Sequence, residues 1–300
     1  MKIIFKHPWC YQFMDDMKNF ELGALSFIDD NKRISSAGLV KRGRIMSLGQ
    51  EYRNDMPQVW FHGPFFSYTY RDVQYSLKKF KDYPNNLGST VCRYELSDHS
   101  GTHIDGLNHA SRDHLVYGNV DIRDITDDVG TISLGIETMP PVFTRGIMLD
   151  FTLLFGVDFL DPGYEITVKN LEEAIDNFNL DIREGDGVFF HTGYGKLWVK
   201  DNKKYMGDSP GPGEEVAKWM VKQKVSITGA DTSPYEVTRS TDKLLFPCHQ
   251  ILIRDAGMHL VENLRLEELS SEGVHEFLFI CAPLKLKGGA GSPVSPLAVY

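Results

Sequence analysis

The sequence contains few cysteines, no basic stripe and no long apolar run, and each shortage excludes a class of protein. The four cysteines lie far apart in 300 residues, so neither a disulfide framework nor a CxxC zinc ribbon is predicted. The net charge of −9 is spread along the chain, which argues against a nucleic-acid partner. No run approaches the ~20 apolar residues of a membrane span, and Met1–Phe20 lacks the apolar stretch of a secretory signal. We therefore expect a cytoplasmic protein with reduced thiols and with no nucleic-acid or membrane partner.

The residues that are present suit a mixed α/β domain, because short apolar runs alternate with polar periodic segments. Hydrophobic residues make up 42% of the chain, enough for a substantial core. Four short runs bounded by Gly, Asp or Pro predict buried strands: Gly146–Phe151, Gly187–His191, Val225–Gly229 and Phe277–Cys281. Two segments predict helices: Val168–Phe178, with Thr167 as its N-cap, and Pro212–Lys224, with an acidic start and a basic end.

The aromatic segment Trp60–Tyr70 admits two interpretations. It is an ordinary core strand, or it is an apolar wall or lid over a small-molecule pocket. In the second interpretation the residues that contact an aromatic or lactone ring of the substrate are Trp60, Phe61, Phe65 and Phe66.

The segment HSGTHIDGLNH, from His99 to His109, carries the clearest chemical signal. Its imidazoles and its carboxylate suit zinc, manganese or iron(II). His99 and His103 are spaced for one helical turn, whereas His103 and Asp105 are spaced for one side of a strand. This conflict predicts a loop supported by a sheet, in which Gly101 lets the backbone bend. Histidines on a loop are often ordinary surface residues, but HxxxHxD followed by a third histidine favours a metal site.

A second polar segment runs from His249 to Glu262. On spacing alone, His249 is more typical of a buried core histidine and Glu262 of a surface carboxylate. His191, at the end of a predicted strand, could approach the pocket or serve the core, whereas Asp231 is more typical of a turn and Cys248 of a small buried residue. No GxSxG motif is present, which argues against a serine hydrolase of the α/β-hydrolase type.

The first motif resembles the signature HxGTHxDxPxH of the cyclase family of metal-dependent hydrolases. Bacterial kynurenine formamidase, isatin hydrolase and certain dienelactone hydrolases belong to this family. Leu107 stands where the family has proline, a position that is not a ligand. Weaker similarities follow in the family's order, so the resemblance runs from about Ser47 to the C-terminus: Gly229–Thr232, Glu262–Leu264, Pro283–Leu286 and Gly291–Pro293.

The resemblance implies an α/β fold of the swivelling β/β/α-like type, with a layered or barrel-like β core flanked by helices. It implies a single domain over residues 1–300, with residues 1–45 as an N-terminal extension. It also implies one or two divalent ions, zinc or manganese. His99, His103 and Asp105 would bind the first ion. Asp105 would bridge to a second ion, held by His249 and Glu262.

The resemblance also implies an activity. The family hydrolyses small amides, lactams or lactones with metal-activated water, and His109 matches the histidine that transfers the proton. The expected substrate is a small molecule like N-formylkynurenine, isatin or a dienelactone, and the expected assembly is a homodimer or homotetramer. Two alternatives remain open: a metal-dependent lyase or dehydratase, and a non-catalytic small-molecule-binding protein on the same scaffold.

Overall fold

Fifteen strands form one large sheet and three small ones in a computed structural model that describes residues 20–300. The strands, in chain order, are β1 (Ile45–Ser47), β2 (Phe66–Arg71), β3 (Val91–Glu95), β4 (His103–Asp105), β5 (Leu115–Val116), β6 (Val120–Asp121), β7 (Val142–Asp150), β8 (Glu165–Ile166), β9 (Gly187–His191), β10 (Gly211–Pro212), β11 (Ile227–Ala230), β12 (His259–Glu262), β13 (Glu276–Cys281), β14 (Gly291–Pro293) and β15 (Leu297–Val299). The large sheet has nine strands in the order β1-β15-β13-β7-β9-β11-β12-β4-β14.

Four parallel strands, β7, β9, β11 and β12, form the middle of the large sheet, and the outer pairs are antiparallel. All four predicted strands are confirmed as β7, β9, β11 and β13, and Gly187–His191 matches in both bounds. Their continuous apolar runs are explained by burial on both faces of the sheet. Because the four middle strands are parallel, Asp150, His191, Ala230 and Glu262 end at the same edge of the sheet.

Helices cover the sheet and confirm both helix predictions, with one corrected boundary. Thr167 caps the first helix in a capping box with Asn170. The second begins at Glu214 rather than at Pro212, because Pro212 pairs with Ile166 in the short β8–β10 sheet. The helices are Asp30–Ala37, Val73–Lys79, Ile122–Ile125, Phe151–Phe155, Val168–Asn177, Asn202–Tyr205, Glu214–Lys222, Pro247–His249 and Glu267–Ser271, with a π-helical turn at Gln250–Asp255 and 3-10 turns at Phe20–Phe27, Tyr117–Asn119, Ile136–Thr138 and Tyr194–Leu197.

Apolar side chains fill both faces of the curled sheet. One cluster joins the sheet to the helices Val168–Asn177 and Glu214–Lys222, and a second covers the opposite face around Phe277 and Phe279. The predicted class, an α/β fold with a curled β core flanked by helices, is confirmed. Between residues 20 and 300, no helix combines the length and the apolar character that a bilayer crossing requires.

The N-terminal part and the aromatic segment lie at the periphery. Residues 1–19 of the predicted extension fall outside the described residues. In the rest of the extension, the helix Asp30–Ala37 packs against β7, and its Lys32 forms an ion pair with Asp186. The core-strand interpretation of Trp60–Tyr70 is wrong. Only its last part, from Phe66, is a strand, and that strand pairs with β3 alone in a largely exposed hairpin.

Candidate metal centre

The predicted bend in the motif lies immediately before strand β4. Gly101 has φ +60°, and a Cβ there would lie only 2.4 Å from the Tyr52 ring. The Tyr52 hydroxyl donates to the carbonyls of Ser100 and Thr102, at 2.8 and 2.6 Å, and so holds the bend. The sequence prediction of an irregular turn supported by a sheet therefore matches the structure.

Five predicted ligands converge at the edge of the sheet where the middle strands end. His103 lies opposite Glu262 in the β4–β12 pair, and His249 comes from the short helix Pro247–His249. The separations between their donor atoms are His99 Nε2–Asp105 Oδ1 3.3 Å, His103 Nε2–Asp105 Oδ1 3.6 Å, His103 Nε2–Glu262 Oε2 3.4 Å, His249 Nε2–Asp105 Oδ2 3.6 Å and His249 Nε2–Glu262 Oε1 3.3 Å.

These atoms fit a divalent ion. Metal–donor bonds of ~2.0–2.1 Å in a tetrahedron place neighbouring donors about 3.3 Å apart, close to the observed 3.3–3.6 Å. His99 Nε2 and both carboxylate oxygens of Asp105 are buried without a hydrogen-bond partner, which is costly unless an ion or a proton satisfies them. Asp105 presents Oδ1 to His99 and His103 and Oδ2 to His249, and Glu262 presents Oε2 to His103 and Oε1 to His249. The donor set therefore suits two ions as well as one.

The second nitrogen of each histidine ligand is held by a neighbouring group. His99 Nδ1 lies 2.8 Å from Asp98, and His103 Nδ1 lies 2.8 Å from the Gly101 carbonyl. His249 Nδ1 contacts Glu236, a residue that the sequence analysis missed. These contacts fix the ring orientation and direct all three Nε2 atoms into the centre.

The carboxylates around His99 and His249 favour the protonated form of both rings. Burial alone would lower the pKa of His99, but its contacts with Asp105 and Asp98 raise it to about 10. Burial also opposes the charged form of His249, yet Glu236 and Glu262 raise its pKa well above the usual value. A divalent ion would therefore displace protons from both rings.

His109 lies beside the predicted ligands. Its ring centroid is 4.0 Å from that of His99, and its donor atom lies within 4.8 Å of those of His99 and Asp105. Burial, partly opposed by Asp105, lowers its pKa to about 4, so the ring is neutral at pH 7. The position is compatible with the predicted proton transfer and with direct ligation.

A cleft opens beside His99, and its wall differs from the predicted one. It is lined by Pro57, Gln58, Val59, His62 and Gly63, together with Ser233 and Asn263. Trp60, Phe61 and Phe66 are exposed to 89%, 57% and 50%, and Phe65 is buried edge-on against Tyr52. The structure thus brings none of these four aromatic side chains into the cleft.

His62 is the cleft residue that the sequence analysis missed. Its ring centroid lies 5.4 Å from that of His99. Burial and the imidazoles of His99 and His103 lower its pKa. The only sequence signal was its position inside the aromatic segment.

A separate polar cluster occupies the same sheet edge behind the centre. His191 Nδ1 lies 3.0 Å from Asp150, and Asp231 accepts hydrogen bonds from the backbone of Thr192 and Gly193. The donor atoms of His191, Asp231 and Glu267 lie within 4.8 Å of one another. His191 therefore belongs to a buried ion-pair network, and Asp231 holds the turn as the sequence suggested.

Three further residues are placed clearly. His114 is exposed, and Cys248 is buried as predicted. Leu107 is 1% exposed and fills a small core with Val116 and Leu134. The residue that replaces the proline of the resembled signature thus contributes to packing rather than to the centre.

Comparison with known proteins gives a consistent result. A family model described as "Putative cyclase" matches residues 46–237. The chain is similar to cyclase-like protein 3 of Oryza sativa subsp. japonica, with 26% identity over 84% of this chain and 78% of the relative. It is also similar to an isatin hydrolase of Roseibium aggregatum, with 22% identity over 85% of this chain and 86% of the relative. Its fold resembles the crystal structure of a novel cyclase, with a TM-score of 0.85, 24% identity and coverage of 93% and 96%.

Proposed function

The chain belongs to this cyclase family, and from that premise we propose that it is a metal-dependent hydrolase of a small amide, lactam or lactone. The observation that carries the proposal is the spacing of the donor atoms around Asp105, at 3.3–3.6 Å, with unpartnered buried oxygens between them. The similarity to an isatin hydrolase supports a cyclic amide among the candidate substrates.

The ligands would be divided as follows. His99, His103 and Asp105 would hold one ion, and His249 and Glu262, together with Asp105, would hold a second. The ions would be zinc or manganese, since the donors are nitrogen and oxygen without thiolate. A divalent ion bound there supplies two effects, a lowered pKa for water and polarisation of a carbonyl group.

The protein's own residues complete the chemistry. His109 is neutral at pH 7, so it accepts a proton from the attacking water and returns it to the leaving nitrogen or oxygen. Asp98 and Glu236 keep the ligand rings oriented during this exchange. Gln58 and His62 line the cleft beside His99 in which a substrate would lie.

The experiment that tests the proposal is metal removal and restoration. Purified protein is stripped with a chelator and assayed with isatin, N-formylkynurenine and a dienelactone before and after zinc or manganese is added. Activity that disappears and returns supports the proposal, and a product heavier by one water identifies hydrolysis. A product lighter by one water would indicate a lyase or dehydratase instead.

A pair of variants makes the test specific to the centre. Asp105→Asn removes the shared ligand and should abolish both metal binding and turnover. Asp113→Asn changes an exposed aspartate nearby and should leave both unchanged. Full activity of the stripped protein, or of Asp105→Asn, would refute the proposal.

We also propose that the chain forms a homodimer or a homotetramer. The β2–β3 hairpin exposes Phe66, Tyr68 and Tyr94 to 50%, 52% and 64%, and clustered aromatic surface is typical of contact sites. Light scattering after gel filtration would measure the mass, and a monomer at micromolar concentration would contradict this proposal.

A further inference from the structure

His62 enters the cleft from a different part of the chain than the predicted ligands. Its ring lies beside His99, with centroids 5.4 Å apart and planes tilted by 43°. It lines the same cleft as Ser233 and Asn263, which flank the metal centre from the sheet. A fifth imidazole therefore borders the place where a substrate would lie.

The loop that carries His62 is anchored at its base. The Gln58 side chain accepts a hydrogen bond from the Phe65 backbone, which closes residues 58–65 into a loop. The backbone N–H of His62 donates to the Val59 carbonyl at 3.0 Å. Met56 and Phe65, at the two ends, are buried in a small core with Tyr194. Packing and hydrogen bonds at the base of the loop therefore fix the position of His62.

The ring of His62 has one nitrogen without a partner. Its Nδ1 is buried and makes no hydrogen bond, although the Phe61 ring packs edge-on against the imidazole. Leaving a buried polar atom unpaired is unfavourable unless water or a ligand satisfies it. Because His62 lines the cleft, a substrate bound there would be in reach of this ring.

His62 is not placed as an additional metal ligand. Among residues 20–300, the imidazoles within 4.0 Å of the Asp105 or Glu262 carboxylate are those of His99, His103 and His249, and His62 is not among them. His99, its neighbour, already directs Nδ1 to Asp98 and Nε2 toward Asp105. His62 therefore lies beside the predicted ligand His99, with the two rings tilted, rather than joining the donor set.

We propose that His62 binds the substrate by donating a hydrogen bond to a second carbonyl oxygen, on a carbonyl group attached directly to the scissile amide. Such a second carbonyl is present in α-dicarbonyl lactams and cyclic imides and absent from simple formamides. His62 thereby selects among the amides that the centre could hydrolyse. This inference rests on the proposed hydrolase function.

The test compares two probes, isatin and formanilide, on metal-loaded protein. Isatin carries a second carbonyl beside its lactam carbonyl, whereas formanilide has only one. For His62→Ala, we expect kcat/KM for isatin to fall roughly 3- to 10-fold, the loss of one neutral hydrogen bond, with a smaller change for formanilide. His62→Asn, which can place an amide atom near the former Nδ1, should recover part of the loss.

Control measurements separate substrate binding from other roles. His114→Ala, at an exposed histidine, should leave both probes unaffected. Metal content and the visible spectrum of the cobalt(II)-loaded protein should be the same in His62→Ala and in the unmodified protein. A lost ion or an altered spectrum in His62→Ala would make His62 a ligand and overturn the inference. An equal fall in kcat/KM for both probes, or no fall for either, would overturn it as well.

The failure of this inference can be told apart from the failure of the proposed function. Isatin binding is measured by calorimetry in parallel with turnover. If isatin binds without being hydrolysed, and His62→Ala weakens binding roughly 3- to 10-fold, the inference stands while the hydrolase proposal falls for this compound. If isatin neither binds nor is hydrolysed, the inference is refuted, and N-formylkynurenine and the dienelactone still test the hydrolase.

Discussion

Replacing Glu236 by glutamine should weaken metal binding although Glu236 touches no ion. Its carboxylate accepts from the backbone of Cys248 at 2.6 Å and of His249 at 3.0 Å, and it also contacts His249 Nδ1. Glutamine keeps the size but offers one oxygen, so its amide nitrogen must face at least one of these donors. A buried donor is then left unpaired, and the ring of His249 exchanges a charged partner for a neutral amide, which holds its Nε2 less firmly.

The expected magnitude follows from comparable changes around metal ligands. Loss of such a partner weakens metal affinity by about 10- to 100-fold, or about 1.4–2.7 kcal/mol. Competition with a chelating dye measures the affinity, and elemental analysis counts the ions. Glu215→Gln is the matched control, since that side chain is 74% exposed. An unchanged affinity in Glu236→Gln would refute the assignment of His249 as a ligand oriented by Glu236.

Three other predictions concern protons, turnover and stability. Metal loading at pH 7 should release about two protons per chain, because the raised pKa values of His99 and His249 keep both rings protonated without an ion. For the same reason the metal affinity should fall as the pH is lowered. Calorimetry in buffers of different ionisation enthalpy measures the number of protons released, and a release of zero would contradict the prediction. His109→Ala should retain its ions but lose turnover by about 100-fold or more, and a variant with unmodified turnover would remove His109 from the mechanism. His191→Ala should lower the free energy of unfolding by about 3–5 kcal/mol, because the buried Asp150 carboxylate loses its ion-pair partner and keeps only its hydrogen bonds from Thr152 and Leu153. A thermal midpoint equal to that of the unmodified protein would refute this.

The sequence was informative where a single short segment contains both the metal-binding residue types and the spacing that determines their local backbone conformation. The conflicting spacings of His99, His103 and Asp105 predicted an irregular turn supported by a sheet, and the structure has the turn at Gly101 and a strand at His103–Asp105. The buried parallel strands were also predictable, since apolar runs such as Gly187–His191 have no polar face. The helix Val168–Asn177 was predicted from its apolar face and its cap.

What the sequence could not provide depends on contacts between distant segments. Glu236 and His62 have no spacing signal, because the sheet edge and the 58–65 loop bring them to the centre only in the folded chain. The aromatic residues around Trp60 were equally compatible with a core strand, a pocket wall or an exposed surface, since β-propensity and apolarity are the same in each. Pro212 suited the first turn of a helix, but pairing with Ile166 placed it in a strand.

Asp105 is the central ligand of the proposed divalent metal centre. Anomalous diffraction recorded at the zinc and manganese absorption edges, from crystals of the metal-loaded protein, tests it most directly. We expect one or two peaks within bonding distance of Asp105, bordered by His99, His103, His249 and Glu262. A metal-loaded crystal with no anomalous peak at Asp105 would contradict it.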